Sequence, residues 1–266
     1  MPPGPVSIVL PTYNRAYVLW RAVLSVQAQG VDDWELIVVD DGSTDCTERL
    51  VEEFGDPRIR YMRTDRGGPS RARNIGVSES THDLIAYIDS DNVWRPAYLR
   101  TMLDAAQTLG GSLWYCGQHY TAWERTADGC WLKIEEEAVP RAPYSPEQAL
   151  DCRGPDTNCM IHTKARWARV GGWDERCRWL EDWDFFTRML LDEPAGVHWI
   201  DAVLVDYRQV FGDGADGICG EAREDGRGEI AGRRYLLDKW AGRLGPRAKT
   251  KLGMPLEGLR LMRAGQ

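Results

Sequence analysis

Asp89-Ser90-Asp91 follows the apolar run Leu84-Ile85-Ala86-Tyr87-Ile88, and two carboxylates one residue apart at a strand end can turn toward one ligand. Such a pair is a hard-oxygen site: Mg2+ or Mn2+ held by one or two carboxylates can bridge the anionic oxygens of a nucleotide diphosphate and stabilise its departure. Asp-x-Asp spacing also arises by chance, and its place after a strand is what gives it weight. Val38-Val39-Asp40-Asp41-Gly42-Ser43 puts carboxylates at a second strand end, where one can accept the ring N–H of a pyrimidine or bind a ribose. The alternative is that Asp41 only caps a helix starting near Thr44. Gly67-Gly68-Pro69-Ser70-Arg71-Ala72-Arg73-Asn74 joins a turn, a helix start and two guanidinium groups, which suits phosphate or nucleobase recognition. Arg71 and Arg73 could equally pair with surface carboxylates.

These groups need a frame that gathers strand ends. Residues 6–10, stopped by Pro11, and 35–39, stopped by Asp40-Asp41-Gly42-Ser43, read as buried parallel strands. Val18, Ala22, Val23 and Val26 recur between them at helical spacing, giving a strand–helix–strand unit. The alternation continues with a helix over 44–53, a strand over 58–62, a helix over 69–77 and a strand over 84–88. This predicts an α/β protein with a doubly wound, mostly parallel sheet. Ligands of such sheets sit beyond the carboxyl ends of the strands, and those ends carry Thr12, Asp40, Asp41, Asp89 and Asp91. After Pro96 a helix to about residue 109 leads to a strand at 112–116 and a hairpin-like stretch through Tyr120 and Trp131 around Asp128-Gly129. A strand at 158–162, a helix at 163–170, the turn Gly171-Gly172 and a helix at 182–191 follow. Residues 211–228, rich in Gly and Asp, read as a mobile loop before one or two tail helices.

Composition narrows the class. A hydrophobic share of 43% and a charged share of 28% are those of a folded globular chain. No apolar run approaches the ~20 residues of a membrane span, and the N-terminus lacks the basic start and apolar stretch of a signal peptide, so the expected location is the cytoplasm. Seven scattered cysteines, none spaced as CxxC, argue against a disulfide framework and a zinc site. The net charge of −8 is uneven: residues 230–266 hold nine Lys/Arg against Asp238 and Glu257, for +7, leaving −15 on the rest. That body argues against a nucleic-acid partner. The basic tail is expected to be a solvated helical face or a contact with an anionic membrane surface.

Pro11-Thr12-Tyr13-Asn14-Arg15, the Val-Val-Asp-Asp-Gly-Ser run, Ala72-Arg73-Asn74 and Asp89-Ser90-Asp91 together resemble glycosyltransferase family 2 in order and spacing. The resemblance covers residues 6–110 and resumes at Gly171-Gly172-Trp173-Asp174-Glu175 and Trp179-Leu180-Glu181-Asp182-Trp183-Asp184. It implies a GT-A fold and inverting transfer from a nucleotide-diphosphate sugar, a UDP-sugar by preference, with Mn2+ or Mg2+. It implies a catalytic domain over 1–228, with a nucleotide-sugar half at 1–110 and an acceptor half at 111–228, followed by a helical tail at 229–266. By motif position Asp91 is the metal ligand and Asp89 its neighbour. Pro11, Thr12, Tyr13, Asp40, Asp41, Arg71 and Ser90 fall at the nucleotide. Asp182 falls at the catalytic base, supported by Glu181; its competing role is a helix N-terminal acid favoured by the macrodipole. Trp179, Trp183 and Arg208 are the acceptor-side candidates, aromatic faces being able to stack on sugar rings.

Two departures stand out. Relatives often carry a histidine shortly after a Tyr-Arg pair, whereas Tyr207-Arg208 is followed here by Gln209-Val210-Phe211, so a third protein ligand to the metal is not expected. The 211–228 segment has no family counterpart and reads as a candidate acceptor lid. Rival readings are a sugar nucleotidyltransferase, which needs a glycine-rich loop where Pro11-Thr12-Tyr13-Asn14-Arg15 stands, and a nucleotide-sugar-binding module without catalysis. A Rossmann dehydrogenase is disfavoured because no GxGxxG follows the first strand. The acceptor class stays open among a glycan, a lipid-linked saccharide and a secondary metabolite, as does the oligomeric state.

Overall fold

The computed structural model describes residues 4–125, 130–139, 142–211 and 227–253. The first half runs β1 (Val6–Thr12), α1 (Ala16–Gln27), β2 (Trp34–Asp40), α2 (Thr47–Glu53), β3 (Ile59–Arg63), α3 (Pro69–Ser78) and β4 (Leu84–Tyr87). Every residue of β1 and β2 is buried, as expected of strands covered on both faces. β1 pairs in parallel with β2 and β4, and β2 with β3. The expected α/β alternation is therefore present, with the carboxyl ends of β1, β2 and β4 side by side. Gly76 lets α3 settle on β1, since a Cβ there would lie 2.4 Å from Val9 Cγ1.

The second half runs β5 (Val93–Trp94), α4 (Tyr98–Leu109), β6 (Leu113–Arg125), β7 (Trp131–Val139), α5 (Pro146–Ala149), a 3-10 turn (Thr157–Cys159) and β8 (Met160–Thr163). It ends with α6 (Lys164–Arg169), α7 (Glu181–Asp192), a second 3-10 turn (Pro194–Gly196), β9 (Val197–Phe211), α8 (Arg227–Lys239) and α9 (Pro246–Gly253). The sheet order is β3-β2-β1-β4-β8-β6-β9-β5, with β7 added to β6. β8 is antiparallel to both β4 and β6, while β6 and β9 run parallel. The Asp128-Gly129 turn, most of the 211–228 segment and the tail beyond 253 lie outside the described residues.

Three clusters form the core. Leu19, Ala22, Val23 and Val26 of α1 and Leu99, Met102 and Leu103 of α4 cover one face of the sheet. Ala72 and Val77 of α3 and Phe185, Phe186 and Met189 of α7 cover the other. The third cluster joins Cys177 and Trp183 to Leu236, Trp240, Leu244, Ala248 and Leu252, so α8 and α9 are packed onto α7 rather than standing free.

Candidate active site

Asp40 closes β2 fully buried, with Oδ1 accepting the Ser43 N–H at 2.8 Å and Oδ2 the Tyr61 hydroxyl at 2.5 Å. Each oxygen thus accepts a bond within the fold, and Asp40 braces the loop after β2. Asp41 does not cap α2. Its two oxygens accept the N–H groups of Gly67 and Gly68, each at 2.7 Å, and so draw the loop before α3 against the end of β2. Gly68 takes φ +94° there, a left-handed value natural to glycine. Pro11 and Thr12 are buried at the end of β1, and Thr12 Oγ1 has no hydrogen-bond partner in the protein. Such an orphaned buried hydroxyl beside the strand ends suits a ligand. Tyr13 lies at the same edge, with the Arg66 guanidinium 4.1 Å from its ring centroid. Arg71 reaches back to the Asp65 carbonyl at 2.9 Å in an exposed position on the same loop.

Beyond β4 the Asp-Ser-Asp turn carries two acids in different surroundings. Asp89 is clamped: Arg73 Nη2 donates to Oδ1 at 2.8 Å, Asn158 Nδ2 donates to Oδ2 at 3.0 Å, and the Asp89 N–H donates to Asn158 Oδ1 at 2.6 Å. Asp91 meets Arg15 Nη1 at 3.2 Å and its side chain keeps 35% of its exposure. Burial raises the Asp91 pKa, Arg15 opposes the rise and Asp89 adds to it. Ser90 is buried between them.

Glu181 and Asp182 open α7, preceded by Leu180 in the left-handed region at φ 54°. Glu181 Oε1 accepts Arg73 Nη1 at 3.3 Å. One buried guanidinium therefore ties the strand-end acids to the helix-start acids, residues about ninety apart in sequence. Burial disfavours the charge on Arg73, but Asp89 and Glu181 outweigh it and hold the group above its ordinary pKa. Trp173 sits under this guanidinium at 4.7 Å. Asn74 fixes that ring by trading hydrogen bonds with the Trp173 backbone at 2.8 and 2.9 Å, which explains why Ala-Arg-Asn and Gly-Gly-Trp-Asp-Glu belong together. Burial and then the Glu181 charge push the Asp182 pKa up to about 6.

Sequence reasoning overlooked part of the site. Asp156 is pushed up to about 8 by burial and then by the charges of Asp89 and Asp182, against the bonds it accepts from Asn158. It therefore stands among the strand-end and helix-start acids as a protonated carboxyl near neutral pH. Asn158 and Arg15 were also missed as site residues, and Arg73 was left between two readings. Isolated polar residues carry no spacing signal. Of the acceptor-side candidates, Trp183 is 3% exposed and donates its indole N–H to the Ala149 carbonyl within the α7–α8 core, so its ring cannot stack on a sugar. Trp179 is half-buried beneath Arg233, whose guanidinium is 4.9 Å from the ring. Arg208 donates its backbone N–H to Asn92 Oδ1 at 3.2 Å and stands 5.3 Å over Trp123, next to the Asp-Ser-Asp turn.

The model of glycosyl transferase family 2 matches residues 7–153, more than half of the chain. The chain belongs to glycosyltransferase family 2. Among curated proteins it is 40% identical over 109 residues to the succinoglycan biosynthesis protein ExoO of Rhizobium meliloti, covering 41% of this chain and 31% of that one. It is 29% identical over 191 residues to the putative colanic acid biosynthesis glycosyl transferase WcaA of Escherichia coli, covering 70% and 66%. It is 38% identical over 90 residues to the Escherichia coli glucosyltransferase WfgD, whose name gives UDP-Glc as donor and a GlcNAc-diphosphoundecaprenol as acceptor; the match covers 34% and 36%. The chain thus spans between about a third and two thirds of these relatives' lengths. Among solved structures, TarS of S. aureus superposes with a TM-score of 0.65 at 15% identity, over 95% of this chain and 46% of that one. Its 1–349 fragment with UDP-GlcNAc gives 0.63 at 16% identity, over 96% and 77%. The fold is that of a GT-A glycosyltransferase, as the resemblance implied.

For a family 2 chain, the donor set at the strand ends fits a hard divalent cation in one specific way. Asp89 has both oxygens engaged by Arg73 and Asn158, whereas Asp91 keeps 35% of its side-chain exposure, so a divalent cation would fit here through the Asp91 carboxylate. Among the described residues no group of three or more His, Cys, Asp or Glu side chains is arranged to hold an ion. No helix among them is long and apolar enough to cross a membrane.

Proposed function

We propose that this chain transfers a sugar, with inversion, from a nucleotide-diphosphate donor to an acceptor hydroxyl, with Asp182 as general base and Asp91 as the ligand of Mn2+ or Mg2+. The observation that carries the reading is Arg73, which holds Asp89 and Glu181 within one guanidinium and so brings the diphosphate-side acids and the base into one site. A UDP donor is favoured because TarS has been solved with UDP-GlcNAc and WfgD is named for UDP-Glc. A lipid-linked saccharide is the favoured acceptor class on the same ground.

The nucleoside sits beyond β1 and β2, against Thr12, Tyr13 and the loop that Asp41 holds. The diphosphate lies toward Arg15 and Asp91. A divalent cation held by Asp91 would supply positive charge that stabilises the departing diphosphate. Asp182 takes the proton of the acceptor hydroxyl. That oxygen forms a bond to the anomeric carbon while the bond from this carbon to the phosphate oxygen breaks on the opposite face, and the nucleoside diphosphate leaves with the electron pair. Glu181, pinned by Arg73, fixes the first turn of α7 and the direction in which Asp182 points. Arg15 adds a protein cation beside the departing phosphates.

Nucleotide release from UDP-, GDP-, dTDP- and ADP-sugars, with Mn2+, Mg2+ or EDTA, tests the reading. Metal-dependent hydrolysis of one donor, lost in Asp91→Ala and sharply reduced in Asp182→Asn, is the expected result. Donor binding with no turnover under any acceptor would instead favour a binding module, and no binding at all would remove the assignment.

A further inference from the structure

α1 presents an apolar face to solvent. Its inner side is the core stripe Leu19, Ala22, Val23 and Val26, yet its outer side carries Tyr17, Trp20 and Leu24 at 59%, 45% and 47% exposure. Positions i, i+3 and i+7 align these three on one stripe. They are three of the seven large hydrophobic side chains exposed among the described residues. Single exposed hydrophobics need no explanation, but a helix whose outer face is tyrosine, tryptophan and leucine does.

Two observations indicate what covers it. The stripe begins at the site, because Arg15 donates to the Tyr17 hydroxyl at 3.1 Å while pairing with Asp91 at 3.2 Å. Its flank toward β9 is basic: Arg21, next to Trp20, lies close enough to Arg208 that, after burial, it is the charge that lowers the Arg208 pKa. The charges of Arg21 and Arg208 act on one another and together favour an anionic phosphate, and Arg208 stands 5.3 Å over Trp123. An aromatic and aliphatic stripe bordered by arginines matches the boundary layer of a bilayer, where indole and phenol rings settle between headgroups and chains. On the opposite flank α2 carries Glu48, Glu52 and Glu53, the first paired with Arg63 and the last with Arg49. The surface is therefore polarised, with its attractive edge on the β9 side.

We propose that the outer face of α1, Tyr17, Trp20 and Leu24, with Arg21 and Arg208 at its edge, docks this chain on a bilayer that contains anionic phospholipid. The site would then open at the membrane surface, beside the phosphate layer where a lipid-linked acceptor keeps its sugar. The choice of acceptor rests on the glycosyl-transfer reading; docking is measured without turnover, so the two can fail separately.

The test is co-sedimentation of the full chain with phosphatidylcholine vesicles, with and without phosphatidylglycerol, at low salt. Wild type is expected on the anionic vesicles only. Trp20→Ser/Leu24→Ser should weaken binding at least about tenfold, from the apolar surface lost. Arg21→Gln should weaken it about fivefold, the effect of one basic side chain near such a surface. Neither variant should change thermal melting or hydrolysis of soluble donor. Failure to bind either vesicle, equal binding by all variants, or loss of binding only on changing the tail residues Lys249 and Lys251 would overturn the proposal. A wild-type dimer in sedimentation velocity that Trp20→Ser/Leu24→Ser dissociates would overturn it too, giving the face to a second copy of this chain.

Discussion

Asp182, the proposed base, is a buried carboxylate whose ionisation works against the fold. Its pKa is raised from 3.8 to about 6, so the folded state holds this proton more tightly than the unfolded chain does. The favourable contribution is complete at low pH and is lost as pH rises from about 4 to about 6, leaving an ionised, desolvated carboxylate at neutrality. Burial and then the Glu181 charge set that cost, which is on the order of 1–3 kcal/mol. Asp182→Asn should thus melt at least about 2 °C higher at neutral pH while turnover falls about a hundred- to ten-thousand-fold. Wild-type turnover should climb about tenfold per pH unit below about 6 and level off above it; a profile flat across this range would remove Asp182 as the base. Asp156 behaves differently. Protonated near neutrality, it serves through an oxygen that accepts from the Asn158 backbone at 2.9 Å and from the Asn158 amide. Asp156→Asn keeps both bonds and should retain turnover within about threefold, whereas Asp156→Ala frees the amide that orients Asp89 and should cost about 1–3 kcal/mol in a denaturant melt. The acids at strand ends and in the Glu181-Asp182 pair were legible in the sequence, but Asp156 and Asn158 were not, because their placement depends on a 3-10 turn folding back against β4.

At the level of elements, the tail is where charge counting and structure part. The +7 of residues 230–266 reads as a solvated or membrane-seeking surface, yet Lys239 is bound inside the protein. Its ammonium meets Asp174 at 2.7 Å and Asp184 at 2.7 Å, and Trp240 donates its indole N–H to the same Asp184 at 2.9 Å. Burial works against the ionised Asp174, but hydrogen bonds from Lys239, Tyr235 and Arg176 outweigh it and hold the acid well below the usual carboxylate range. α8 is therefore latched to α7, the helix that presents Asp182. Lys239→Met leaves the fully buried Asp184 with Arg188, at 2.9 Å, as its cation and should destabilise by about 1–3 kcal/mol, with Lys239→Met/Asp184→Asn recovering part of the loss. Chemical denaturation of the four chains of that cycle measures it. The same packing takes Trp183 out of the acceptor site, since a tryptophan beside a presumed base reads equally as a platform or as core until its partners Leu236 and Trp240 are known. β5 and β9 were not legible either: Val93–Trp94 is too short to show alternation, and β9 mixes buried Leu204 and Val205 with polar Asp201, Asp206 and Arg208. By contrast β1, β2 and α3 follow from their apolar runs and punctuation, because both faces of the parallel half are covered.

Across the whole molecule the two halves of the site are joined by Arg73, which touches both sets of acids. It rises from α3, in the half that is expected to bind nucleotide, and its guanidinium spans from Asp89 to Glu181 on α7. Arg73 meets the two carboxylates through two separate nitrogens, Nη2 to Asp89 and Nη1 to Glu181, and the shorter lysine side chain with one nitrogen does not reproduce that span. Ligand that orders the Asp-Ser-Asp turn should therefore also steady the first turn of α7 in the wild type, by a differential contact that runs through this side chain. Adding UDP and Mn2+ is expected to slow amide exchange at least about tenfold both at residues 88–92 and at 181–185. In Arg73→Lys, whose charge is kept, protection at 88–92 should persist while that at 181–185 disappears, and turnover should drop more than the affinity for UDP. Equal protection of both segments in the variant would point instead to the bonds of Asn74 with Trp173 and Glu175, which also bridge α3 and the region before α7.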